Sequence, residues 1–212
     1  MSPTGIDVSA YQGEFNWGAH MDIAFAGIRA TSWPSGTAFT ADAELKANAN
    51  ATWDVYAGKV CRFYYHESRP AVSDPAVQAK QFLGILGRHL VRGDVMAVAM
   101  GDNGGTGALA PGQIAEWHGV FLHTLRELTE RAHRVICYCN AGWAMAGNCR
   151  GLDGWGLWLA DYDISEPIVP APWAKRKLVA WQRSGTGLDL DVYMAGDRRH
   201  LNDWAGMPAY RR

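Results

Sequence analysis

The sequence predicts an α/β protein folded as one irregular barrel, and three features carry that expectation. Eight short segments rich in β-branched and aromatic residues lie between turn formers, and several are apolar without alternation, as strands covered on both faces are. Stretches with helical periodicity separate the early strands, which is the pattern of parallel βαβ units. Only Gly185-Thr186-Gly187 separates the last two strands. Three residues cannot make a parallel crossover, so that pair must be an antiparallel hairpin.

In order, the predicted strands are Gly5–Tyr11, Phe25–Thr31, Val60–Glu67, Asp94–Met100, Arg134–Asn140, Gly156–Tyr162, Leu178–Ser184 and Leu188–Met194. Among the helices, Ala41–Ala57 is alanine-rich, and Pro75–Leu90 sets Ala79, Phe82, Leu86 and Leu90 on one face behind a proline suited to a first turn. Pro111–His133 repeats the apolar stripe with Ile114, Trp117, Phe121, Leu125 and Leu128. Between the sixth and seventh strands, Glu166–Trp173 is too broken by prolines for a long helix. No repeat, low-complexity tract or linker divides residues 1–212, so one domain is expected. Its site should lie at the carboxyl ends of the strands, where barrel chemistry gathers.

Twenty lysines and arginines against 21 acids leave a net charge of −1, which provides no long-range field for nucleic acid or an anionic membrane. No apolar run is long enough to span a bilayer. The 10 Trp, 8 Tyr and 6 Phe supply flat stacking surfaces. Cys61, Cys137, Cys139 and Cys149 lack the paired spacing of a zinc site and read as buried free thiols. Neither a metal nor an organic cofactor is expected. The first residues carry no cationic segment followed by an apolar core, so synthesis in the cytoplasm without a secretion signal is the expectation. On that basis Asn50-Ala51-Thr52 is an accidental glycosylation match.

Asp7 lies inside the apolar first strand, where an unpaired carboxylate is costly to bury and so needs a partner or a task. Asp189 lies in the last strand, and in a closed barrel the first and last strands are neighbours. The two acids would then face one another. That arrangement suits glycoside cleavage, which uses paired carboxyl groups, and equally suits a hydrogen-bonded structural pair.

The opening GIDVSAYQGEFNW, residues 5–17, resembles the signature start of the glycoside hydrolase family 25 lysozymes, the Chalaropsis-type N-acetylmuramidases. The likeness continues in order through Phe25–Thr31, Tyr65-His66 with Arg69-Pro70, Asp74-Pro75 and Gln78-Ala79. It extends through Leu157-Trp158-Leu159-Ala160-Asp161-Tyr162, Trp181-Gln182 and Leu188-Asp189-Leu190-Asp191, which is close to the family's final Val-Asp-x-Asn. The resemblance implies a (β/α)5β3 barrel that hydrolyses the β-1,4 bond between N-acetylmuramic acid and N-acetylglucosamine in peptidoglycan. It implies Asp7 and Asp189 as catalytic-site acids. Tyr65, Trp158, Tyr162 and Trp181 match its cleft residues, where rings stack on sugars; core packing is the alternative, and an even one for Trp181. Trp33 and Trp143 are weaker cleft candidates, and His66 reads as a hydrogen-bonded structural residue.

One departure from the family is decisive for chemistry. The family places Asp-x-Glu at the end of the fourth strand, with the glutamate as general acid, and here that register holds Ala99-Met100-Gly101. Losing a positioned acid forfeits roughly 10²–10⁴-fold in rate, so a crippled muramidase is expected. The alternative is a non-catalytic glycan-binding protein, for example a virion or tail component. Two substitute acids are conceivable: Asp102, which strand alternation would aim away from the site, and Glu67, expected as a solvated loop acid. The absent leader fits a phage endolysin delivered to the wall by a holin or a virion. The expected partner is the glycan strand of peptidoglycan, with a monomer expected unless the chain sits in a virion. Arg198, Arg199, Arg211 and Arg212 are expected to form a solvated surface.

Overall fold

Ten strands are found in the computed structural model, which describes residues 2–34, 38–101 and 106–208. They are β1 (Thr4–Val8), β2 (Phe25–Arg29), β3 (Thr31–Ser32), β4 (Thr40–Ala41), β5 (Cys61–Glu67), β6 (Val95–Met100), β7 (Arg134–Asn140), β8 (Gly156–Ala160), β9 (Leu178–Ser184) and β10 (Asp189–Tyr193). Eight of them close into a barrel in the order β1-β10-β9-β8-β7-β6-β5-β2, while β3 and β4 make a small separate ribbon. Every barrel pairing from β1 through β2 and β5 round to β9 is parallel. Only β10 runs the other way, antiparallel to both β9 and β1, so it is the strand that closes the circle. This is the irregular α/β barrel expected from the sequence, including its terminal hairpin.

The helices are α1 (Leu45–Tyr56), α2 (Pro75–Leu86), α3 (Pro111–Leu128), the single turn α4 (Ala141–Trp143) and α5 (Arg198–Ala205). Strand alternation sorts the core into two layers. Phe25, Phe63, Tyr65, Val95, Ala97, Ile136 and Trp158 fill the barrel interior. Tyr64, Met96, Val98, Cys137 and Leu159 point the other way and bury against Phe82 and Leu86 of α2 and Phe121 and Leu125 of α3. All four cysteines are free and buried.

Helix ends depart from the sequence expectation for local reasons. The helix expected from Ala41 begins at Leu45 because Thr40 and Ala41 pair with Ser32 and Thr31, and Asp42 then accepts from the Glu44 N–H at 3.0 Å. Helix α2 stops at Leu86 because Gly87 turns to a positive φ of 45°, after which Gly87–His89 form a 3-10 turn. Helix α3 ends at Leu128, and Glu130 and Arg131 follow with φ of 50° and 61°, a left-handed turn that no helix continues through. Helix α5 was not anticipated. It carries Arg198, whose Nη2 donates to the Ile23 carbonyl at 2.9 Å, and the exposed Arg199; Arg211 and Arg212 lie outside the described residues.

Gly27 on β2 sits beside Asp7 in register, and a Cβ there would overlap the Asp7 Cβ and come within 2.6 Å of Trp158 Cη2. Gly27→Ala should therefore overpack the barrel interior and cost about 1–3 kcal/mol. For a chain of this size that lowers the melting temperature by about 2–4 °C per kcal/mol. Gly84→Ala on α2, where a Cβ meets nothing within 4 Å, should instead stabilise, by up to about 1 kcal/mol. Thermal melts of both variants check this, and an unchanged melt for Gly27→Ala would refute the packing.

Candidate active site

Alternation along β6 turns Val95, Ala97 and Ala99 inward, and Gly101 continues that row past the strand end. Ala99 and Gly101 both open onto a cleft of about 340 Å³ at the carboxyl ends of the strands. Tyr11, Arg29, Tyr65, Glu67, Tyr138, Asn140 and Tyr162 complete its walls. Among the described residues, a Cβ at Gly101 would meet nothing within 4 Å.

Glu67 is the last residue of β5, paired in register with Ala99. Because β5 extends that far, Glu67 follows Tyr65 on the inward face and stands on the cleft wall, rather than in the solvated loop expected for it. Its backbone is pinned at both ends: the N–H donates to Thr31 Oγ1 at 3.2 Å and the carbonyl accepts from Trp33 Nε1 at 2.6 Å. Asp102, the other candidate substitute, lies outside the described residues. At the rim, Tyr11 is 87 % exposed, with the Arg29 guanidinium 4.7 Å from its ring centroid. Arg29 is in turn anchored by Asp42, Nε to Oδ2 at 2.6 Å.

Below the cleft lies a cluster of carboxyl groups. Asp7 and Asp189 are direct Cα partners across β1 and β10, and Asp191 follows two residues along the same face. Asp7 accepts from Gln182 Nε2 at 2.7 Å and from Tyr65 Oη at 3.4 Å, while Asp191 Oδ1 accepts from Trp158 Nε1 at 2.7 Å. Burial, and then the charge on Asp189, push the Asp7 carboxyl up to about 7. Burial and the neighbouring Asp7 push Asp191 well above the carboxylate range. Asp191 Oδ2 has no hydrogen-bond partner among the described residues, and with both carboxyls raised by burial and by one another the pair keeps a proton at a pH where an exposed aspartate has lost it. Half-buried Asp189 is also raised, by burial. Sequence reasoning missed Asp191, although an acid two residues beyond Asp189 in an apolar strand must share its face.

Two of the anticipated cleft aromatics do not reach the cleft. Trp158 is fully buried and stacks on Tyr138 at 4.2 Å between centroids, so its ring forms packing beneath the cleft and its indole N–H holds Asp191. Trp181 alternates with Ala180 and Gln182, which face inward, so it points outward and its Nε1 donates to the Asp161 carbonyl at 2.6 Å. Tyr65 and Tyr162 do line the cleft, and Tyr162 Oη donates to Gln182 Oε1 at 2.6 Å. Tyr138, Arg29, Tyr11 and Asn140 join them without having been singled out. Trp33 is buried, and Trp143 packs against the helix-side core. His66 is buried between Thr31 Oγ1 at 2.7 Å and Gln78 Oε1 at 3.0 Å; burial lowers its pKa to about 4, so it is a neutral structural ring.

Carboxyl groups gathered under an aromatic cleft at the carboxyl end of a barrel are the equipment of a glycoside hydrolase scaffold. The family model for glycosyl hydrolases family 25 matches residues 6–192, and the chain belongs to that family. It is 29 % identical over 208 residues to lysozyme M1 of Streptomyces globisporus, a match covering 93 % of this chain and 67 % of that protein. Solved structures share the fold, among them two lysozymes. The bacterial lysozyme from Streptomyces coelicolor has a TM-score of 0.77 at 23 % identity, covering 97 % of this chain and 98 % of its own. A family GH25 lysozyme from Aspergillus fumigatus has a TM-score of 0.79 at 22 % identity, covering 97 % and 100 %.

The carboxyl cluster makes stability depend on pH. The raised pair keeps a proton in the native state that the unfolded chain releases above about pH 4, so the Asp7 contribution is complete below that pH and is lost as pH rises through about 7, and the raised Asp191 acts in the same direction. Asp191→Asn keeps a donor facing Asp7 but removes one titration. Its melting temperature should exceed the parent's at pH 8, with the difference closing toward pH 4.5. A difference independent of pH would rule out the shared proton.

Proposed function

We propose that this protein is a peptidoglycan-directed lysozyme-family member whose cleft holds the alternating N-acetylmuramic acid and N-acetylglucosamine strand but cleaves its β-1,4 bond very poorly. One observation carries the reading: Ala99 and Gly101 both open onto the cleft, and neither can deliver a proton to a leaving oxygen. Asp7 and Asp191 do not replace them, because each is 1 % exposed and is engaged by Gln182, Tyr65 and Trp158. The remaining residues suit holding a sugar. The Tyr11 ring at the rim offers an apolar face, and the Arg29, Asn140, Tyr138 and Tyr162 polar groups are placed to bond hydroxyl and acetamido groups. On this reading the protein acts at the cell wall, reached from the cytoplasm through a holin or within a virion.

Reducing-end release from purified peptidoglycan tests it. Ala99→Asp/Gly101→Glu should cut at least about 10²–10⁴-fold faster than the parent, because no described residue lies within 4 Å of a Cβ at Gly101 to block the longer side chain. Comparable rates from both would overturn the reading.

A second reading rests on Glu67, which stands on the same cleft wall in register with Ala99. If it is the proton donor of a slow residual hydrolysis, Glu67→Gln lowers reducing-end release by roughly 10²-fold or more. Unchanged release from Glu67→Gln rejects it.

A further inference from the structure

A larger groove, about 830 Å³, lies at the opposite end of the barrel from the cleft. It forms where β7, β8 and β9 begin, at Arg134–Ile136, Gly156 and Val179, with α5 as one wall and the α3–β7 connection as another. Arg126, Arg131, Arg134, Arg176 and Lys177 line it against one carboxylate among the described lining residues, Asp203. In a chain whose net charge is −1, that is a marked local excess of positive charge.

The cations are positioned more than they are neutralised. Arg134 Nε donates to the Trp204 carbonyl at 2.7 Å and Lys177 Nζ to the Gly154 carbonyl at 2.9 Å, so backbone oxygens hold both side chains without cancelling their charge. The Arg126 guanidinium lies 4.8 Å from the Trp155 ring centroid, and that of Arg134 lies 5.6 Å from the Trp204 centroid. Glu127 meets Arg131 at 3.0 Å and Arg126 at 3.8 Å, but the Arg131 and Glu127 side chains are 68 % and 61 % exposed, so an incoming anion displaces this carboxylate at little cost.

We propose that this groove binds an anionic phosphodiester polymer with a non-aromatic backbone, a polyol-phosphate chain, independently of what the cleft does. Guanidinium forks match phosphate oxygens in a bidentate manner, and several along one groove suit phosphates repeating along a flexible chain. Nucleic acid fits less well, because each tryptophan ring here already carries an arginine that competes with a base for the stacking surface. Since cleft and groove occupy opposite ends of the barrel, one molecule can hold a glycan strand and the polymer together, which raises its residence by effective concentration.

Calorimetric titration of the full chain with poly(glycerol phosphate), at roughly 50 and 200 mM salt, tests the inference. Arg131→Glu/Arg176→Glu, at exposed positions, should lose at least about tenfold in affinity and show a shallower salt dependence. Lys46→Glu/Lys80→Glu makes the same change of net charge on exposed faces of α1 and α2, outside the groove, and should lose less than about threefold. Equal losses from the two pairs would overturn the assignment, as would no binding by the parent at the lower salt. So would equal or tighter binding of a single-stranded oligonucleotide with the same number of phosphates.

Discussion

The antiparallel pairing of β1 with β10 is the constraint on which the rest of the molecule hangs. It closes the barrel, and in doing so it brings Asp7, Asp189 and Asp191 onto one face where, among the described residues, no cation hydrogen-bonds them. Three ionised carboxylates in that setting would be prohibitive. The structure lowers the cost in two ways. One proton is kept between Asp7 and Asp191, and the remaining oxygens take donors from Gln182, Tyr65 and Trp158. Two of these donors also have a second duty: Gln182 Oε1 accepts from Tyr138 and Tyr162, and Tyr65 lines the cleft. The cleft floor and the barrel closure are thus one hydrogen-bonded unit, so a change in either is felt in the other.

How much of this was legible in the sequence follows from the physics of each element. The strands were readable because apolar runs between turn formers need a sheet covered on both faces, and the three-residue link before β10 left only a hairpin. Helix ends were less legible because particular side chains and backbone angles set them: Asp42 before α1 and the positive φ of Gly87 after α2. The eight residues of α5 are too few for periodicity to stand out, and their docking depends on long-range contacts such as Arg198 with Ile23.

The site was legible in composition and less so in depth. Alternation says which residues face inward, yet an inward residue meets either solvent or another layer of the interior according to its height in the barrel. Trp158 is inward and buried, whereas Glu67, near the strand end, is inward and on the cleft wall. Trp181 fails for phase rather than depth, since its neighbours Ala180 and Gln182 hold the inward positions. No propensity marks these differences; they follow once the strand ends are known.

The empty positions at 99 and 101 are also intelligible as electrostatics. A barrel mouth that already holds the Asp7–Asp189–Asp191 cluster, with Glu67 on the wall, is crowded with acid. Two further carboxylates on the same inward row would each raise the pKa of the others, and their repulsion would be borne by the closure between β1 and β10. Ala99 and Gly101 remove that load while leaving the aromatic walls and Arg29 in place. Active sites commonly carry such strain at the expense of stability, and relieving it stabilises the scaffold while forfeiting the chemistry. On the function proposed above, the same logic would let recognition of a sugar outlast its cleavage. The proposed contacts would fall to Tyr11, which lies against Arg29, and to Tyr138 and Tyr162, which Gln182 holds, and none of the three needs the two acids to stay where it is.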